Sequence, residues 1–338
     1  MRSPDGFDAR RPTIDDLESI LRLTQACDVA VLGFGDWSAD EVREQLESRR
    51  GPAGTHHWVV TDRRLDGQGD GEGGRIVGWV WSTDQSGGAI DVDWFVDPAL
   101  ARSPYHLVTG WLVWAVLGDI ETRARADGRT SVRLETGAYQ AHTERRQELI
   151  ALGYKHERTF YRMARRVDPL ETFPAPAAGI VLKPGGDTED ERRVTHRILD
   201  SAFADHFNYH ARDFDEWWTD QRVRAGLDLA HWRIAELDGV PVGARTVSDR
   251  YLDQNDGYIG SLGVLREGRG RGVAKALLAD TFGFYRDAGR SRVLLHVDSE
   301  SPTGATRLYE TVGMTQDLAL DFFATDHHVP TEPYDTDR

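Results

Sequence analysis

A series of short motifs occurs twice along the chain in the same order, and this doubling constrains the fold more than any other feature. Ile76-Val77-Gly78-Trp79 returns as Pro241-Val242-Gly243-Ala244, each behind a strand-like run, Trp58-Val59-Val60 and Trp232-Arg233-Ile234. Residues 92–96 return as 259–264, Val132-Arg133-Leu134-Glu135 as Val293-Leu294-Leu295-His296, and Leu152-Gly153-Tyr154 as Val312-Gly313-Met314. The offsets, roughly 160 to 174 residues, drift only as far as loop insertions allow. Between the copies lies residues 168–179, where Pro169, Pro174 and Pro176 forbid a helix and stiffen the connection. The chain of 338 residues is therefore expected to hold a first domain over 1–167, a linker over 168–179 and a second domain over 180–338.

Each half reads as a helical opening (residues 14–23 and 190–203), a second polar-aromatic helix, and two or three antiparallel strands. A strand–loop–helix unit, another strand, a short helix and a final strand follow. That alternation predicts an α/β fold, each domain a mixed, mostly antiparallel sheet flanked by helices. The glycine-rich run at 66–74 reads as an inserted hairpin tip.

Composition narrows the partners. Lys and Arg number 41 against 56 Asp and Glu, a net charge of −15, which argues against holding nucleic acid or an anionic membrane through bulk charge. The same balance suits a small cationic substrate. Cys27 is the only cysteine, so neither a disulfide framework nor a Cys-rich zinc site is available, and a reducing cytoplasm is expected. The opening residues lack the apolar core of a signal peptide, and the apolar run at 107–117 is too short for a membrane span and reads as a buried helix. No metal site is expected: His56-His57 and His327-His328 are adjacent pairs, and neighbours on a strand face opposite ways.

The most informative segment follows the β-rich run 258–264. The spacing of Val273, Ala276, Leu277, Thr281 and Phe284 announces a helix, and Arg269-Gly270-Arg271-Gly272-Val273-Ala274 lies at its entrance. Glycines expose backbone N–H groups, the helix start adds its own amides and positive dipole end, and Arg269 and Arg271 add charge. Such a loop suits a pyrophosphate. It is not a P-loop, because no Lys-Ser/Thr follows, and it does not sit at the first strand of a dinucleotide-binding fold.

Arg269-x-x-Gly272-x-Ala274 resembles the Arg/Gln-x-x-Gly-x-Gly/Ala acyl-CoA motif of the GNAT superfamily of N-acetyltransferases. Residues 258–264 resemble that family's bulged fourth strand, Val293-Leu294-Leu295-His296-Val297-Asp298 its fifth, and Ser301 through Leu308-Tyr309-Glu310-Thr311-Val312-Gly313-Met314 its closing segment. The duplication is similar to tandem GNAT proteins of the actinomycete type, including mycothiol synthases and members found in antibiotic clusters such as that of clavulanic acid.

The resemblance implies a transferase that takes acetyl-CoA or another acyl-CoA, without a metal, and passes the acyl group by direct attack to a small amine, cationic amines included, in a monomer or homodimer. It implies Tyr309 as general acid. It implies contacts to the cofactor from Leu262, Gly263 and Val264, from Arg269, Gly270, Arg271, Gly272, Val273, Ala274 and Lys275, and from Ser301 in place of the usual Asn. The N–H of Leu262 or Gly263 is expected near the thioester carbonyl, where it would stabilise a developing oxyanion. The family's Glu base is replaced by Tyr258, a poor base near neutral pH, so the base is sought among Asp256, His296 and His206. Asp205, Asn208, Tyr209, Tyr258 and Trp217 are the expected substrate contacts, acid beside aromatic as a cationic substrate requires. The first half has no glycine in the matching loop and Leu149 where the second has Tyr309, so it reads as a degenerate copy, with acyl-CoA binding there left open. O-acyl transfer, a longer acyl donor and a non-catalytic acyl-CoA-binding module are the alternatives.

Overall fold

The computed structural model describes residues 3, 5–47, 55–65, 74–85, 87–224, 226–301 and 303–331. The hairpin tip expected at 66–74 lies, except for Gly74, outside the described residues. The first half runs β1 (Phe7–Arg10), α1 (Leu17–Leu32), α2 (Ala39–Glu47), β2 (Thr55–Asp62), β3 (Arg75–Asp84), β4 (Ile90–Val96), α3 (Arg102–Ala126), β5 (Ser131–Tyr139), α4 (Thr143–Ala151) and β6 (Lys155–Arg166). The second repeats this order with β7 (Ile180–Pro184), α5 (Glu189–Phe203), α6 (Phe214–Gln221), β8 (Arg233–Leu237), β9 (Val240–Ser248), β10 (Asp256–Val264), α7 (Val273–Asp287), β11 (Arg292–Asp298), α8 (Ala305–Thr311) and β12 (Thr315–His328). The strands β1 and β7, which open each half, are too short to leave a period in the sequence.

The chain divides into two compact units, one formed by Met1–Glu157 with Asp321–Arg338, the other by Arg158–Leu320. This differs from the division read at the proline-rich segment. Each half gives most of its last strand to the other unit, so β6 and β12 are cut near Glu157 and Leu320. In the second unit residues 160–166 of β6 pair antiparallel with β11, Arg162 standing opposite His296. From there the order runs β11, β10, β9, β8, β7. The segment 168–179 is tied to α7: the Phe173 ring lies 5.8 Å from that of Phe282, and the Arg286 guanidinium donates to the Glu171 carbonyl at 2.5 Å. Linker residues thus pack as part of the second unit.

In both units the long helix after the fourth strand is seated on a glycine of the third. A Cβ at Gly78 would stand 2.7 Å from Val108 Cγ1, and one at Gly243 2.7 Å from Val273 Cγ1. The absence of a side chain lets α3 and α7 approach the sheet and bury Val108 and Leu112 in one unit, Val273 and Leu277 in the other. Each fully buried aliphatic side chain contributes about 1.5–3 kcal/mol. Among the described residues no helix is long and apolar enough to cross a membrane.

Candidate active site

Strand pairing defines an opening in the second unit. β10 and β11 run parallel and pair from Asp256–Arg292 to Ile259–Leu295, and no pairing between them continues beyond. On its other edge β10 stays paired with β9 up to Val264–Gly243, with a register shift between Ile259 and Ser261 that makes Gly260 a bulge. The Leu265 amide donates to the Val242 carbonyl at 2.8 Å, so the amides of residues 261, 263 and 265 face β9. Those of Leu262 and Val264 therefore face the gap, because successive strand amides alternate in direction. Of the two expected oxyanion donors, Leu262 has the right direction. Gly263 belongs to the β9 ladder, and its Cβ position is closed by Ala202 at 2.9 Å and Leu199 at 3.1 Å.

The basic loop continues from this edge. Gly270 and Gly272 take φ of 71° and 87°, a region only glycine enters without strain, and Gly272 caps α7. The first amide bonded within the helix is that of Ala276, to the Gly272 carbonyl at 3.0 Å. The amides of Gly272 to Lys275 precede it and have no partner within the helix, and Gly270 and Arg271 lie in the turn that leads into them. Arg269, Gly270, Arg271 and Lys275 are exposed. Arg269 Nε donates to the Val264 carbonyl at 3.1 Å, and Arg266 pairs with Asp205 at 2.7 Å, tying the segment after α5 to the loop. That partner holds the Asp205 carboxyl below the usual range.

Around the gap the candidate residues separate. Tyr309 of α8 is buried among apolar groups, which pushes its phenol up to about 12. The Tyr258 hydroxyl lies 3.0 Å from Nδ1 of His296, an exposed residue one step past the last β11 pairing. Burial lowers the His206 pKa; Asp298 and Asp205 raise it and Arg269 lowers it, and its ring meets Phe203 edge to face. Asn208 takes φ of 53° in the same turn. Ser301 Oγ is 3.0 Å from Thr303 Oγ1 at the entrance to α8.

Three expectations change. Asp256 is 1% exposed and both its oxygens are held by Arg292, the shortest contact 2.6 Å, so it serves as a structural ion pair and not as a base. Trp217 is a core residue packed on His196, Phe214, Trp218 and Trp232 and offers no face to a ligand. The Tyr209 hydroxyl is committed to Asp200, and burial, aided by that bond, pushes it up to about 12. One residue that sequence reasoning missed is Tyr285. Its hydroxyl accepts from the Tyr258 amide at 3.1 Å and lies 3.0 Å from the Ser248 carbonyl, fixing β10 against β9 just before the gap. The signal was available in Gly257, whose Cβ position the Tyr285 ring fills at 2.5 Å.

The first unit differs in its fourth strand. β4 pairs with β3 without a register shift from Val96–Gly78 to Ile90–Asp84, so it has no bulge. The repeat already carried this difference, five residues at 92–96 against six at 259–264. Among the described residues no group of His, Cys, Asp and Glu is arranged to hold a metal.

Comparison with known proteins gives three results. Residues 194–314 match the family model described as acetyltransferase (GNAT) family. The mycothiol acetyltransferase of Thermobispora bispora is 34% identical over 174 residues, 48% of this chain and 56% of that protein; that of Salinispora arenicola is 29% identical over 203 residues, 54% and 60%. The chain thus spans less than two thirds of the curated relatives it matches. Among solved structures, a GCN5-related N-acetyltransferase from Sphaerobacter thermophilus superposes with a TM-score of 0.76 at 27% identity, covering 97% of this chain and 98% of that one. A tandem GNAT protein from the clavulanic acid biosynthesis pathway shares the fold, with a TM-score of 0.68 at 17% identity over 95% and 98%.

Proposed function

Starting from a chain of tandem GNAT fold whose residues 194–314 form a GNAT acetyltransferase domain, we propose that it is an acyl-CoA-dependent N-acyltransferase. The donor is acetyl-CoA, the acceptor a small amine, and the reaction belongs to the second unit, the first being a degenerate copy. One observation carries this reading: the gap between β10 and β11, with the Leu262 and Val264 amides facing it, leads directly to the amides and arginines at the α7 entrance.

In this reading the loop amides from Gly270 to Lys275 and the charges of Arg269 and Arg271 hold the pyrophosphate, while the pantetheine arm lies against the β10 edge. The Leu262 N–H bonds the thioester oxygen as negative charge develops on it. The amine nitrogen attacks the carbonyl carbon, the C–S bond breaks, and the thiolate takes the Tyr309 proton. A desolvated phenol near 12 stays protonated at neutral pH, as a donor must. His296 removes the proton that the attacking ammonium must lose, with the Tyr258 hydroxyl fixing its ring. His206 is the second choice for base. Asp205 and Asn208 stand beside the loop and, with Tyr258, face the acceptor. The reading includes a reducing cytoplasmic setting and a role in secondary metabolism.

The test is release of free CoA from acetyl-CoA across a panel of small amines. The panel includes the amine precursor of mycothiol, since the curated relatives are named for mycothiol. Turnover with at least one amine supports the proposal. Tight acetyl-CoA binding with no turnover on any amine or alcohol would leave a non-catalytic binding module.

A further inference from the structure

In the first unit the position matching the gap is filled. β4 and β5 pair in parallel only at Ile90–Leu134 and Asp91–Glu135, so their later residues part as those of β10 and β11 do. The Asp97 amide donates to the Val77 carbonyl at 2.9 Å, which turns the amides of residues 93, 95 and 97 toward β3. The Trp94 amide therefore faces the opening, and by the repeat it is the counterpart of Leu262. Its partner is the carboxylate of Asp93, at 2.8 Å. The same Oδ1 accepts from Arg145 Nη2 at 3.0 Å, and the Arg145 guanidinium carbon lies 3.3 Å from the centre of the Trp94 ring.

Asp93 and Trp94 are consecutive strand residues whose side chains leave opposite faces of the sheet. A single guanidinium can touch both only by lying at the strand edge, and the β3 edge is fully paired. Arg145 thus occupies the gap itself, with 8% of its side chain exposed. The Leu152-Gly153 and Val312-Gly313 correspondence aligns Arg145 with Ala305, whose methyl group leaves the second unit's gap open. The loop before α3 also differs: Asp97, 3% exposed, accepts from the Ala99 amide at 2.9 Å and from Arg75 at 2.6 Å, so a carboxylate ties the start of this loop to β3.

We propose that the first unit retains a closed copy of the acyl-CoA site, in which Asp93 takes the place of the thioester oxygen and Arg145 is the plug, so the chain binds one acyl-CoA. This rests on the functional reading for the second unit only in its count. Two experiments separate them. Native mass spectrometry of the full chain with acetyl-CoA is expected to show one equivalent for the wild type and none for Gly272→Glu. A second equivalent on the wild type, or one retained by Gly272→Glu, overturns the closed site. No binding by the wild type overturns the functional reading instead, and the plug is then judged by the second experiment.

That experiment is chemical rescue. Arg145→Ala leaves the half-buried Asp93 carboxylate without its cation and is expected to lower Tm by roughly 5–10 °C. Methylguanidinium chloride at about 10–50 mM is expected to recover part of this loss by entering the vacated gap, with no gain for the wild type. Methylammonium, lacking the planar fork, is expected to recover none. No rescue, or equal response in both proteins, overturns the plug. Should Arg145→Ala not fold, Arg145→Lys carries the same comparison, since an ammonium fills the planar gap only in part.

Discussion

The Tyr258 hydroxyl stands 3.0 Å from His296 Nδ1 at the point where β10 and β11 part, so an imidazole on one strand is oriented by a phenol on the other. The contact joins two residues that the sequence separates by a helix and two loops. His296→Gln is expected to lower kcat by about 10²-fold or more while leaving acetyl-CoA affinity within a few fold. Tyr258→Phe keeps the ring and loses the bond, so a smaller fall is expected, with an altered acid limb in the pH–rate profile. Steady-state kinetics from pH 5 to 9 checks both, and an unchanged kcat in His296→Gln would transfer the base role to His206.

Tyr309→Phe keeps the packing of α8 and removes only the proton donor. The expected result is a fall in kcat of about 10- to 100-fold with unchanged CoA affinity, measured by turnover and by calorimetric titration. Because burial holds the phenol near 12, its ionisation should leave no basic limb below about pH 10. Full activity in the variant would sink the assignment.

Gly78 and Gly243 give a paired test of what seats the long helices. Alanine at either position places a Cβ 2.7 Å from a valine methyl of α3 or α7, and each change is expected to cost about 1–3 kcal/mol in urea unfolding. Only Gly243→Ala moves the first turn of α7, whose amides form the proposed anion cradle, so only that variant should weaken acetyl-CoA binding. Equal loss of binding in both variants would contradict the assignment of the site to the second unit.

His57 governs part of the acid lability of the first unit. Burial pushes its pKa down to about 4, below the ~6.5 of an unfolded chain. The unfolded state therefore takes up the proton first, and stability falls as pH drops from about 6.5 toward 4, by up to about 3 kcal/mol. Asp28, pushed up to about 6 by burial, acts in the opposite sense over much of this window, so the informative quantity is a difference. Relative to wild type, His57→Gln should lose that much less stability between pH 7 and 4, as read by urea titrations. Parallel pH profiles for the two proteins would refute it.

Much of this was legible in the sequence because it is local. The doubled motifs set the order of elements, the Gly-Arg run fixed where amides and positive charge converge, and Leu149 opposite Tyr309 marked which copy lacks the tyrosine. Asp256 and Trp217 were misread for a common reason. A carboxylate and an indole look alike in a sequence whether they face solvent or an interior partner, and Arg292 and Trp232 are brought to them from elsewhere in the fold.

By itself, then, the sequence determined two copies of one α/β pattern and a phosphate-suited loop in the second, since period, glycine and charge act over a few neighbouring residues. Tertiary structure alone decided that β6 and β12 divide between the units, that Leu262 and not Gly263 turns its amide to the gap, and that Arg145 closes the first copy. Each of those outcomes depends on which strand edge is already paired, and edge pairing is a relation between distant segments that no local pattern records.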